Sequence, residues 1–215
     1  MVHLIVGYGE VGKALHEVLD EALYVDPILG CTWDGSFVDV VHISIPYSDK
    51  FNEIVEDYKT FGNLVIVHSS VPVETCDSLG VVHSPIRGVH PYLAEGIRTF
   101  VKYFGGERAT EAALIFAKLG LNVKIFDKAR TTEALKLWDT TQYGRLIMME
   151  KEIHQWCLDH NIDFDSIYTE ANRDYNEGYT KLGMQHVVRP YLKHMEGPIG
   201  GHCVMPNTKL LGVEL

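Results

Sequence analysis

Two clusters of residues in this chain have types and spacings that carry chemistry. The first is Gly7-Tyr8-Gly9-Glu10-Val11-Gly12, with the spacing G-x-G-x-x-G. It follows the apolar run Leu4-Ile5-Val6 and opens a segment in which Val11, Leu15, Val18 and Leu19 recur at helical spacing. In that context Gly7 permits a tight turn, Gly9 lets the backbone approach a pyrophosphate, and Gly12 lets a helix pack on a sheet. The helix start then offers unpaired N–H groups and a partial positive charge to the anion. Asp26 closes the next apolar run. A carboxylate there accepts hydrogen bonds from a ribose 2′-hydroxyl and repels a 2′-phosphate. An NADP site would want an arginine nearby, and the first arginine in the chain is Arg87. The expected cofactor is therefore NAD.

The second cluster is Gly200-Gly201-His202-Cys203. Glycines ahead of a cysteine allow close backbone approach and an exposed thiol, and a thiolate is a good nucleophile toward an aldehyde. A small buried thiol in a tight turn is the competing reading. Lys136 and Thr140 are spaced i, i+4, so on a helix they share one face. His186, His194 and His202 lack compact ligand spacing, and no metal is expected.

These groups need a scaffold. The candidate strands are Val2 to Val6, Leu23 to Val25, Val38 to Ile45, Leu64 to His68, Gly80 to His83 and Val123 to Phe126. Helical patterns over Val11 to Leu19, Lys50 to Tyr58 and Thr110 to Leu119 alternate with them. Such alternation predicts an α/β fold with a doubly wound parallel Rossmann sheet. From Thr131 to His160 the pattern is helical throughout, with Thr131 or Thr132 as cap and Asn161 as a left-handed end. A smaller helical domain built on this long helix is expected over 129–215, after a Rossmann domain over 1–128. Trp138, Leu146, Ile147, Ile153 and Trp156 are many large apolar groups for one helix. That predicts a homodimer.

Composition narrows the partners. The net charge is -10 over 215 residues, which argues against nucleic acid or an anionic membrane surface. The start MVHLIVGYGEVG has no basic n-region and no small-residue cleavage site, and no apolar run reaches bilayer length. Cys31, Cys76, Cys157 and Cys203 form no CxxC pair. Reduced thiols in the cytoplasm and a small-molecule substrate are the expectation.

Taken in order, these segments resemble the UDP-glucose/GDP-mannose dehydrogenase family, of the 6-phosphogluconate dehydrogenase-like superfamily. Gly7 to Gly12 fits its glycine loop. Ser69-Ser70-Val71-Pro72-Val73 looks like its "STVPVG" turn, and His83-Ser84-Pro85 stands where it has Ser-Pro-Glu. Glu133-Ala134-Leu135-Lys136 is similar to the start of its central helix, and Gly200-Gly201-His202-Cys203 to its "GGHC". The resemblance implies oxidation of a primary alcohol, possessed by a sugar or nucleotide sugar, in two hydride transfers to NAD. Cys203 would carry a thiohemiacetal and then a thioester, and Lys136 would stabilise the oxyanion or assist proton transfer. Ser70, Thr140 and Asn207 would line the same site, and Pro46 and Ser70 would join Gly7, Tyr8, Gly9, Glu10, Val11, Gly12 and Asp26 as cofactor contacts.

The chain departs from that pattern at particular positions. Thr140 replaces an asparagine, Ile86 a glutamate and Asn207 an aspartate, and the chain stops at Leu215 where the family continues into a nucleotide-binding domain. Neutral Asn207 cannot act as the acid or base that a carboxylate is. Two other readings stay open. One is a β-hydroxyacid-type dehydrogenase, which also uses a helix lysine. The other is a non-catalytic NAD-binding protein.

Overall fold

The computed structural model of the chain describes residues 1–199 and 203–215. They form two compact units, Met1–Leu137 and Trp138–Leu215. The division falls inside the long helix rather than at its start.

The first unit follows the strand–helix alternation of its sequence. Its elements are β1 (His3–Val6), α1 (Glu10–Leu19), β2 (Leu23–Val25), β3 (Val38–Ile43), α2 (Phe51–Lys59), β4 (Gly62–Val67), α3 (Thr75–Leu79), β5 (Val82–His83), α4 (Leu93–Thr99), β6 (Lys102–Gly105), α5 (Ala109–Lys118) and β7 (Val123–Phe126). The start of α6 (Ala129–His160) completes it. The sheet order is β2-β1-β3-β4-β5-β6-β7, the doubly wound arrangement of a Rossmann fold. It is parallel except where β6 runs against β5, with His83 opposite Gly105. The doubly wound parallel sheet that the alternation predicts is present, with this one reversal. The short strand Lys102–Gly105 was not legible as a strand, and it supplies the reversal.

Alternation along each strand sorts side chains to two cores. Ile5, Val40, Ile66 and Phe104 face α1, α4 and α5, where Leu15, Ile97 and Phe116 meet them. Leu4, Val6, Val41, Ile43 and Val67 face α2 and α3, where Phe51, Val55 and Cys76 close the layer. Both faces are covered, as a parallel sheet requires.

The start of α6 corrects one expectation. The helix begins at Ala129, ahead of Thr131 and Thr132, and its first N–H groups are capped from a distance. Asp77 of α3 accepts from the Ala129 N–H at 2.9 Å and from the Arg130 N–H at 3.3 Å. The Arg130 side chain also pairs with Asp77, at 2.9 Å. Thr132 instead lies fully buried one turn in. Asn161 ends α6 at φ 53, the left-handed conformation its type tolerates.

The second unit holds the rest of α6, a π-helical turn at Asp165–Glu170 leading into α7 (Ala171–Lys181), a 3-10 turn at Gln185–Val187 and α8 (Val204–Leu211). The segment after the 3-10 turn is tied down by side chains. The Leu192 N–H donates to the buried Tyr168 hydroxyl at 3.1 Å, and Asn176 holds both the N–H and the carbonyl of Arg189. His194 meets the buried Glu150 at 2.6 Å. Among the described residues no helix is long and apolar enough to cross a membrane.

Candidate functional site

The glycine loop sits at the C-terminal end of β1, in the bend between strand and helix. Gly7 has φ +91, a region costly for any side chain. A Cβ on Gly12 would overlap the Gly7 carbonyl oxygen, so the close helix–strand approach admits only glycine there. A Cβ on Gly9 would meet nothing, so that backbone faces open space. Ser44, just past β3, donates its hydroxyl to the Gly7 carbonyl at 2.7 Å and lies 3.1 Å from the Val6 carbonyl. This serine clamp is local to the tertiary fold and left no sequence signature.

Asp26 follows β2 directly and faces the loop. Its Oδ2 accepts from the Tyr8 N–H at 2.7 Å, and its Oδ1 accepts from Ile28 N–H at 2.9 Å and Leu29 N–H at 3.3 Å. The Tyr8 N–H, with the two turn donors, holds the carboxyl below the usual carboxylate range. The group is thus an oriented anion beside Gly7–Gly12. The Tyr8 ring stacks on Tyr24 with centroids 3.9 Å apart, and its hydroxyl meets His16 Nδ1 at 2.5 Å. Glu10 is exposed and turned to His90, 2.7 Å away, and Val11 packs on the core. Pro46 is exposed beyond β3.

The turn after β4 carries Ser69 and Ser70. Ser69 donates its hydroxyl to the Ile45 carbonyl at 2.6 Å, and Ser70 is half-buried beside it. His83 fixes this turn to α6. Its Nε2 lies 3.1 Å from the Ser69 carbonyl and its Nδ1 2.8 Å from the Thr132 hydroxyl. The carbonyl can only accept, so Nε2 carries the proton and Nδ1 accepts from Thr132. Burial pushes the His83 pKa down to about 3, so the ring is neutral. Glu133, the next residue of α6, is fully buried and accepts from the Glu74 and Cys76 N–H groups at 2.6 and 2.7 Å. Burial raises its pKa. Lys136 follows one turn later, half-buried, close enough to His83 to depress the imidazole further.

In the second unit the structure joins two of the expected residues. The buried Asn207 of α8 donates its amide to the Thr140 hydroxyl of α6 at 3.0 Å. Both positions depart from the resembled family, and here they satisfy one another. Thr208 and Thr141 make a parallel contact at 3.2 Å. Cys203 is half-buried at the start of α8, and its carbonyl accepts from the Asn207 N–H at 3.0 Å. Gly200, Gly201 and His202 lie outside the described residues. Among the described residues no group of three or more His, Cys, Asp or Glu is placed to hold a metal.

Comparison with known proteins extends this picture. No protein-family model and no curated protein matches the chain. Solved structures do. A UDP-D-ManNAc dehydrogenase from Pyrococcus horikoshii superposes with a TM-score of 0.77 at 14% identity, over 98% of this chain and 64% of that one. A UDP-N-acetyl-mannosamine dehydrogenase from Staphylococcus aureus gives 0.65 at 19% identity, over 98% and 65%. A 3-hydroxyisobutyrate dehydrogenase from Mycobacterium tuberculosis gives 0.61 at 14% identity, over 82% and 70%. The chain therefore spans about 64% of the length of the first of these. At such identities the likeness is one of fold, a Rossmann fold of the kind found in dehydrogenases.

Proposed function

We propose that the protein is an NAD-dependent oxidoreductase acting on a primary alcohol carried by a small molecule of sugar or nucleotide-sugar type. The observation that carries the cofactor half of this reading is the pairing of an open Gly9 backbone with an oriented Asp26 carboxylate. The loop fits a pyrophosphate, since Gly9 leaves room for it and the first turn of α1 supplies N–H groups. Asp26 retains lone pairs for a ribose hydroxyl and would repel a phosphate there. When bound, NAD supplies the hydride acceptor.

The chain's own residues supply the rest. Lys136 is the cation offered to an alkoxide forming on the substrate, and Ser70 is a hydroxyl offered nearby. In the four-electron version, the alcohol loses a hydride and a proton to give an aldehyde. The Cys203 sulfur then forms a bond to the aldehyde carbon, and its proton passes to the oxygen. Loss of a second hydride and that proton leaves a thioester, which water cleaves to the acid and the free thiol. The balance is one alcohol, one water and two NAD consumed for one acid, two NADH and two protons. Asn207 gives its amide to Thr140 and offers no acid or base for the last step.

The shared fold of a 3-hydroxyisobutyrate dehydrogenase keeps a two-electron β-hydroxyacid oxidation as the second reading, in which Lys136 would act without Cys203. A screen of primary alcohols, β-hydroxyacids and sugar nucleotides for NADH formation, repeated with Cys203→Ala, separates them. Acid formation lost in the variant supports the thiol route. Equal turnover in both proteins moves the assignment to the two-electron reaction. NAD binding with no turnover on any class leaves a binding protein.

A further inference from the structure

The sheet contains a line of buried nitrogen bases that the proposed chemistry does not use. His3 at the start of β1, His42 on β3 and His68 just past β4 all face the core layer of α1, α4 and α5. His3 Nδ1 lies 2.9 Å from His42 Nε2, and His42 Nδ1 lies 3.0 Å from His68 Nε2. His68 Nδ1 lies 2.7 Å from the Ser84 carbonyl and 3.5 Å from the ammonium nitrogen of Lys102, the first residue of β6. His42 is 0%, His68 3% and Lys102 4% exposed, whereas His3 is only half-buried. The string therefore has one end near solvent and one end in the core.

The protons on it follow from the acceptors. The Ser84 carbonyl can only accept, so His68 carries its proton on Nδ1. Its Nε2 is then an acceptor, which makes His42 Nδ1 a donor. By the same step His42 Nε2 accepts and His3 Nδ1 donates. A single carbonyl thus orders every ring into the Nδ1–H form, with a lone pair on His3 Nε2 at the outer end. At the inner end Lys102 sits 3.0 Å from the Ser84 carbonyl and 3.3 Å from the Pro85 carbonyl. A neutral amine has two N–H bonds for these two carbonyls and one lone pair left toward His68. An ammonium is also accommodated, because the rings of Phe104 and Phe116 lie 5.5 and 5.4 Å from its nitrogen.

We propose that His3, His42, His68 and Lys102 form a proton relay that connects solvent at the start of β1 with a buried amine at the start of β6. A proton taken up at His3 Nε2 releases the Nδ1 proton to His42 Nε2. The Nδ1 proton of His42 then passes to His68 Nε2, and that of His68 to the Lys102 lone pair. One proton is gained overall, no electrons move, and each ring ends in the Nε2–H form. The reverse sequence returns the proton and restores the starting tautomers. Desolvation supports the starting state, since it pushes His42, His68 and Lys102 well below their ordinary values. The charged and titratable groups around the string are the N-terminus and Asp39 at His3, His83 beside His68, and Lys136 toward Lys102. The relay stands apart from the dehydrogenase reading. His68 immediately precedes the Ser69–Ser70 turn, so proton-coupled chemistry at that edge of the sheet can draw on the string.

Hydrogen exchange of the full chain, uniformly labelled with 15N, tests this. The His68 ring proton should exchange with solvent at least tenfold faster than the Ile66 amide in the same core, since the amide must wait for the structure to open. His3→Leu, or His3→Gln, which keeps a donor toward His42 but cannot pass a proton on, should slow the His68 ring proton at least tenfold and leave the Ile66 amide unchanged. A ring proton that exchanges with the Ile66 amide in the wild type, or at an unaltered rate in both His3 variants, would overturn the proposal.

Discussion

Replacing His83 by glutamine should flatten the acid sensitivity of the protein. His83 is fully buried and neutral, with a folded pKa of about 3 against an ordinary value of 6.5. Below pH 6.5 the unfolded chain binds a proton there that the folded chain refuses, so stability falls as pH falls. The stabilisation is complete above 6.5 and is lost progressively from there toward pH 3. Between pH 7 and pH 5 the loss from this one group is about 2 kcal/mol, from a slope near 1.4 kcal/mol per pH unit. His42 and His68 act with the same sign, and Glu133, whose pKa is raised, acts with the opposite one. Those terms are common to wild type and variant and cancel in the difference. The glutamine amide can still donate to the Ser69 carbonyl, so the fold is retained at a cost of about 1–3 kcal/mol at pH 7 for the weakened Thr132 contact. Urea unfolding of both proteins at pH 7, 6 and 5 measures the effect. The variant should lose about 2 kcal/mol less than wild type over that range, and equal losses would refute a neutral buried imidazole.

Other outcomes follow from the same geometry. Gly12→Ala should destabilise by about 1–3 kcal/mol and abolish NAD binding, because its Cβ meets the Gly7 carbonyl oxygen; urea unfolding and cofactor titration read both effects. Iodoacetamide followed by peptide mass spectrometry should label the half-buried Cys203 and Cys31 well before Cys157 and Cys76, the latter held protonated by burial and by Glu133. The second unit exposes Trp138, Met149 and Trp156 by 44%, 44% and 49%, and Met149 and Trp156 line a groove of about 780 Å³ with Leu146 and Ile153. We therefore expect a homodimer through this face, with sedimentation at micromolar concentration showing a dimer that Trp156→Glu converts to monomer.

The parts of the fold that depend on one residue at a time were legible in the sequence. Gly7 and Gly12 are dictated by a backbone angle and a single close contact, so their spacing, set between an apolar strand and an amphipathic helix, identifies the loop. The long helix was legible because no proline interrupts its period and Asn161 ends it. The parts that depend on register were not. His3, His42 and His68 look like stray polar residues in apolar strands until pairing places Ile5 beside His42 and Ile66 beside the same strand. The detectable signal was a histidine at one position in each of several buried strands. The cap on α6 comes from Asp77, distant in sequence, whereas local sequence points to Thr131 and Thr132. Around the candidate site, Thr140 and Asn207 read separately as departures. Only their 3.0 Å hydrogen bond shows that they form a pair.

The reading of this chain as an NAD protein rests on Asp26 beside the glycine loop. Titration of the purified protein with NAD and NADP, repeated on Asp26→Asn, tests it directly. NAD should bind at least tenfold more tightly than NADP, about 1.4 kcal/mol, and the variant should narrow that ratio. Equal affinity for the two cofactors in the wild type, or binding of neither, would contradict the account.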